Sequence, residues 1–157
     1  MLRRILTLSI WTAIVLSAQK YKGPQPEKPD FPYLLHADNL VPTEASEAKE
    51  ESKKDQILYY IPGASSPART PLSSPIFLFL ADKLTPERLQ LYRLEVKNGR
   101  REVMFSRKKK QTARPIRFST NRVADNLYRL EVEETLENGE YSFSPSESNQ
   151  VFCFEVY

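Results

Sequence analysis

The apolar residues of this chain come in short runs, and that punctuation restricts its fold more than any other feature. From Gln56 onward, β-branched, aromatic and aliphatic stretches are broken by Gly, Pro, Asn and Ser at intervals of about 8 to 15 residues, a spacing that suits strands rather than amphipathic helices. The sharpest local signal is LYRLEV-KNGR-REVMFS, where Asn98-Gly99 supplies the two positive-φ positions of a type I′ turn and predicts a hairpin. A second Asn-Gly, Asn138-Gly139, joins LYRLEVEE to EYSFS. Nine strands are predicted: Tyr33 to Ala37, Ile57 to Ile61, Ile76 to Ala81, Leu89 to Lys97, Glu102 to Arg107, Ile116 to Thr120, Leu127 to Glu133, Glu140 to Ser144 and Val151 to Val156. The run IFLFL (76–80) is apolar on both faces, as a central strand requires. By contrast, Tyr128, Leu130 and Val132 alternate with Arg129, Glu131 and Glu133, as in a strand with one wet face. Pro86 after Thr85 permits a single helical turn, TPER. The expected class is all-β and antiparallel.

The first nineteen residues, MLRRILTLSIWTAIVLSAQ, have the layout of a cleaved signal peptide. Arg3 and Arg4 form its positive end, an apolar run of about 7 to 15 residues follows, and Ser17 and Ala18 supply the small side chains before a cut. The apolar run is shorter than the roughly 20 residues that span a bilayer, so no stable membrane anchor is expected after cleavage. Residues 20–32 (KYKGPQPEKPDFP) carry four prolines and read as an extended tether. Residues 33–157 then form one β domain, within which 43–55 (TEASEAKEESKKD) is charged, lacks an apolar stripe and reads as a solvated loop. GASSPARTPLSSP (63–75) reads as a second long loop.

Loss of the leader takes two arginines, so the remaining chain is nearly neutral, with 21 basic against 20 acidic side chains. Its charges are segregated. Residues 88–122 hold twelve Lys and Arg against Glu95 and Glu102, while 123–157 hold eight Asp and Glu against Arg129 alone. Neighbouring antiparallel strands drawn from the two blocks would set opposite charges face to face, at fractions of a kcal/mol per pair. The single cysteine, Cys153, cannot form an internal disulfide; in VFCFEV it reads as a small buried hydrophobe. None of the six asparagines begins an Asn-x-Ser/Thr sequon. These features fit bacterial export, to the periplasm or beyond.

The stretch LYRLEVEETLENGEYSF (127–143) resembles the part of an immunoglobulin-like sandwich that runs from strand E into strand F, through the spacing of Leu130, Glu137, Gly139 and Tyr141. The resemblance implies a cysteine-free, fibronectin-like sandwich of seven to nine strands, because the family's disulfide cysteine would fall at Phe143. It also implies that Tyr141 is a tyrosine-corner residue whose hydroxyl bonds back to the turn. The chain as a whole is similar to secreted bacterial proteins of uncharacterised role, which implies no activity.

No catalytic, cofactor-binding or metal-ligating constellation follows the leader. His36 is the sole histidine and has Asp38 nearby, but Gly63-Ala64-Ser65-Ser66 is not a nucleophile elbow, and one histidine with a distant cysteine falls short of a zinc site. The adjacent Tyr59 and Tyr60 must point to opposite faces of a strand, which leaves no aromatic platform for sugars. The most basic stretch, RKKKQTAR, together with Arg117 gives Arg107, Lys108, Lys109, Lys110, Arg114 and Arg117 as a polyanion-binding candidate. Its simpler reading is a solvated connection that discourages edge-to-edge pairing. The expectation is therefore an exported, non-enzymatic structural or protein-interaction β-sandwich, with a polyanion- or envelope-binding module as the alternative. Its partner would be a protein or envelope component rather than nucleic acid.

Overall fold

A computed structural model describes residues 20–157; the predicted leader lies outside the described residues. Thirteen strands run in chain order: β1 (Pro32–His36), β2 (Asn39–Pro42), β3 (Glu44–Glu47), β4 (Lys49–Lys53), β5 (Gln56–Pro62), β6 (Arg69–Thr70), β7 (Ile76–Leu80), β8 (Leu89–Lys97), β9 (Arg100–Ser106), β10 (Phe118–Ala124), β11 (Leu127–Val132), β12 (Gly139–Pro145) and β13 (Gln150–Val156). The one helical element among the described residues is a 3₁₀ turn at Pro86–Arg88, where the sequence predicts it.

The strands form two sheets. Sheet I has the order β10-β11-β7-β1-β2, and sheet II the order β3-β13-β12-β8-β9-β5-β4, with β6 added in parallel to β13. IFLFL is central as its composition requires, lying between β1 and β11 with Phe77, Leu78 and Phe79 all buried. The sheets meet face to face over an aromatic core in which Phe77 lies edge-on to Phe143 (4.8 Å) and Phe154 (4.9 Å). Each such ring, fully withdrawn from water, contributes about 1.5–3 kcal/mol before entropy is counted.

Four strands escape the sequence pattern: β2, β3, β4 and β6. The count consequently exceeds the expected seven to nine, and the solvated loop at 43–55 is corrected to two strands. The side chains of β4 are mostly exposed and charged, and those of β3 are small or acidic and half exposed, so nothing in their periodicity marks them. What orders them is backbone pairing with edges that other segments provide, β3 along β13 and β4 along β5. Thr43 begins this stretch with its hydroxyl donating to the Pro32 carbonyl at 2.7 Å. The prolines of residues 20–32 lead into sheet I: Pro32 opens β1, and the Asp30 carboxylate accepts the backbone N–H groups of Asp82, Lys83 and Leu84.

The two Asn-Gly pairs do different work. Asn98 (φ 52°) and Gly99 (φ 73°) make the predicted tight hairpin between β8 and β9. Asn138-Gly139 instead lies where the chain crosses from β11 in sheet I to β12 in sheet II, with Gly139 at φ 155°.

Sheet II is curled. Its outermost strands, β3 and β4, are separated in sequence by Ala48 alone, so the two ends of the sheet lie within one residue of each other. The Ala48 N–H donates to the Asn149 carbonyl at 2.8 Å and fixes this corner. Curling encloses a second, smaller apolar cluster on the face away from sheet I: Ala48, Ile61, Leu94, Val151 and Cys153, with Tyr59 and Val103 packed against it.

Candidate functional site

Three groupings of side chains stand out, all on or inside sheet II. The first is the basic end. Arg107, Lys108, Lys109 and Lys110 are exposed in the turn that follows β9, which is held by the Ser106 N–H on Thr112 Oγ1 and the Gln111 N–H on the Lys108 carbonyl. The Arg107 N–H donates to the Asp55 carbonyl, which draws this turn against the β4–β5 turn. Lys53, Lys54 and Lys108 consequently border one surface depression. The sequence reading missed Lys53 and Lys54. Their only local signal is a Lys-Lys-Asp turn between two strands, one of which is invisible in the pattern.

The charge segregation resolves into two kinds of cation. Arg88, Arg93, Arg101 and Arg117 pair with Glu147, Glu137, Glu140 and Glu134 of the acidic block. Among the described residues, Arg107, Lys108, Lys109, Lys110, Arg114, Lys53 and Lys54 make no ion pair. Arg117 is thus set apart from the rest of the sequence-predicted set. Arg114 lines a separate depression with Lys110 and Lys97.

The second grouping is a buried charge cluster at one end of the curled sheet. Arg101 is 1% exposed; its guanidinium donates to both Glu44 oxygens at 2.6 and 3.0 Å and to the carbonyls of Gly63 and Pro62. Glu140 lies 3.6 Å from the same guanidinium and accepts the Ser66 N–H on both oxygens. Burial raises the Glu140 carboxyl above the usual carboxylate range, against the opposing pull of Ser66 and Arg101. Glu44 is also partly desolvated, but its hydrogen bonds and charge contact with Arg101 win and hold its carboxyl low.

The third is a cavity of about 360 Å³ at the other end of the same face, where Ile57, Tyr59, Tyr92, Val103, Phe105 and Val151 supply walls. Phe105 lies edge-on to both Tyr59 (5.9 Å) and Tyr92 (5.1 Å). Ser142 and Ser144 from β12 and Gln90 from β8 line the same space.

The remaining sequence candidates are accounted for by their places in the fold. His36 is exposed at the end of β1, whereas Ser66 is buried, its hydroxyl donating to the Cys153 carbonyl. Tyr59 faces the cavity and Tyr60 faces away beneath the Arg100 guanidinium at 4.3 Å, as alternation requires. Cys153 is wholly buried, and burial pushes its thiol up to about 12. Among the described residues no His, Cys, Asp and Glu group gathers with metal-ligand geometry, and no helix is long and apolar enough to cross a membrane. No family model, curated protein or solved structure matches the chain.

Proposed function

We propose that this chain is an exported, non-enzymatic interaction module of immunoglobulin-like architecture that engages a polyanionic envelope component through its basic end. The architectural reading is supported by strand order: β10-β11-β7-β1 corresponds to D-E-B-A, and β13-β12-β8-β9 to G-F-C-C′. Strands β2 to β6 are then an insertion between A and B. The Tyr141 hydroxyl donates to the Glu137 carbonyl at 2.7 Å, which is the bond a tyrosine corner makes. Export is supported by the sequence pattern of residues 1–19.

The observation that carries the binding reading is the convergence of Lys53, Lys54 and Lys108, with Arg107, Lys109 and Lys110 alongside, all without ion-pair partners among the described residues. Asp55 is the one acid bordering the same depression, and it makes no ion pair with the three lysines. A cluster in which cations outnumber acids raises the local concentration of phosphate, sulfate or carboxylate polymers, and the attraction weakens with salt over a Debye length of about 8 Å at physiological ionic strength. Retention on immobilised lipopolysaccharide or heparin tests it. Replacement of Lys108, Lys109 and Lys110 by serine is expected to move elution to clearly lower salt, and the further change of Lys53 and Lys54 to abolish retention. Stability should stay within about 0.5 kcal/mol, since exposed charges contribute little. Co-elution of the triple variant with the parent would remove the basic end from the function.

A further inference from the structure

We propose that the cavity inside sheet II is a binding site for a neutral amphipathic small molecule, an apolar body carrying one hydrogen-bonding head such as an alcohol. Size comes first. At about 360 Å³ the space falls within the range of small-molecule sites, about 300–1,000 Å³, and far exceeds a packing defect. It exists because the sheet splays. Strand β8 pairs with β12 through Leu89 to Leu94 but with β9 only from Glu95 to Lys97, so the far half of β9 leaves the β8 backbone, and the side chains of Tyr92, Val103 and Phe105 line the space between them. The gap in the backbone ladder is closed by residues 113–116, where Ala113 N–H donates to the Met104 carbonyl and Ile116 N–H to the Leu91 carbonyl.

The lining specifies the ligand. Tyr59, Tyr92, Phe105, Ile57 and Val103 offer rings and branched chains for an apolar body. Ser142 is 1% exposed, and its hydroxyl meets only the Ser144 hydroxyl, at 3.4 Å. One long contact between two hydroxyls leaves most of their donor and acceptor capacity unspent, which is costly for a buried group unless a further partner arrives. The Tyr92 hydroxyl is already committed to Gln90 Oε1 at 2.6 Å, so the serines, with the Gln90 amide N–H beside them, are the groups left to meet a head. Charge decides its type. The only ionised residue in the lining is Glu147, at the exposed rim and 3.5 Å from Arg88, and no cation lines the space. A carboxylate or phosphate head would find no counter-charge.

Titration with the neutral fluorophore N-phenyl-1-naphthylamine, with displacement by 1-decanol and by decanoate, tests the site in the mature protein. The dye should bind saturably, one per chain, and decanol should displace it at least tenfold more effectively than decanoate at neutral pH. Two changes on opposite walls, Ser144→Phe and Ile57→Trp, should each weaken dye binding at least tenfold. Ile57 is 39% exposed, so a larger ring there fills the mouth without entering the core, and this variant decides the matter if Ser144→Phe does not fold. The serine triple variant of Lys108, Lys109 and Lys110 should bind dye as the parent does, which separates this site from the basic end. Non-saturable binding, full binding by folded Ile57→Trp, or equal displacement by decanoate would overturn the proposal.

Discussion

Arg100 and Arg101 are adjacent and chemically identical, yet one strand's alternation sends them to opposite fates. Arg100 lies over the Tyr60 ring and bonds Glu51 and Glu102, whereas Arg101 is driven into the curled sheet to meet Glu44 and Glu140. Alternation puts Arg101 on the side of Val103 and Phe105, but nothing in the sequence names its partner, because Glu44 is 57 residues away on a strand with no apolar pattern. Glu140 carries a testable consequence. Its carboxyl is raised by burial, so the folded state binds that proton more tightly than the unfolded chain, and folded stability falls as pH rises through the raised value. Glu140→Gln keeps an acceptor for the Ser66 N–H and removes the charge. Its thermal midpoint should exceed the parent's at neutral pH, and the gap should close on acidification as the parent's carboxyl takes up its proton. Glu44, held low by Arg101, works in the opposite direction: its contribution is present near neutrality and fades as pH falls through its folded-state value. Equal midpoints at neutral pH would mean that Arg101 fully compensates both acids.

At the scale of elements, the strands that were legible are those whose burial writes a period into the sequence. Each of the nine predicted strands overlaps an observed one, Leu89–Lys97 with its predicted limits, but the expectation Ile116 to Thr120 is displaced: the strand runs Phe118–Ala124, and Ile116 bridges to Leu91 of β8 instead. Of the four illegible ones, β3 and β4 hold their place by backbone bonds to β13 and β5, which any residue except proline can supply. The crossing from β11 to β12 was legible through one side chain. Tyr141 is 1% exposed, lies stacked 5.5 Å from Phe154, and ties its hydroxyl to the Glu137 carbonyl. Tyr141→Phe deletes that bond while keeping the ring, and urea unfolding should report a loss of about 1–3 kcal/mol. An unchanged midpoint would show that the crossing is held by its flanking strands alone. The cavity was the least legible feature, since it arises from the divergence of β8 and β9 and not from any residue type.

For the whole molecule, Cys153 offers a reporter of global opening. It lies in β13, which is paired to β12, β3 and β6, and its burial and raised thiol leave no reactive thiolate in the folded state. Iodoacetamide should therefore leave the native protein unmodified and alkylate it at a rate that follows the population of unfolded chain across a denaturant series. Fast labelling in the absence of denaturant would mean that β3 and β6 detach from β13 well below the global transition. The sequence made the burial of Cys153 legible through VFCFEV, but not the two polar strands, β3 and β6, that share the edge of its strand opposite β12.

Ala48 gives the molecule an uneven tolerance of chain breaks. A cut at Asn98-Gly99 would open a two-residue turn whose strands stay paired on both sides, so new termini there would cost little. The same cut beside Ala48 would unclasp sheet II, freeing β3 and β4 from each other and exposing the second apolar cluster to water. A single small residue thus serves as the buckle of a belt whose strands are otherwise joined only to their neighbours.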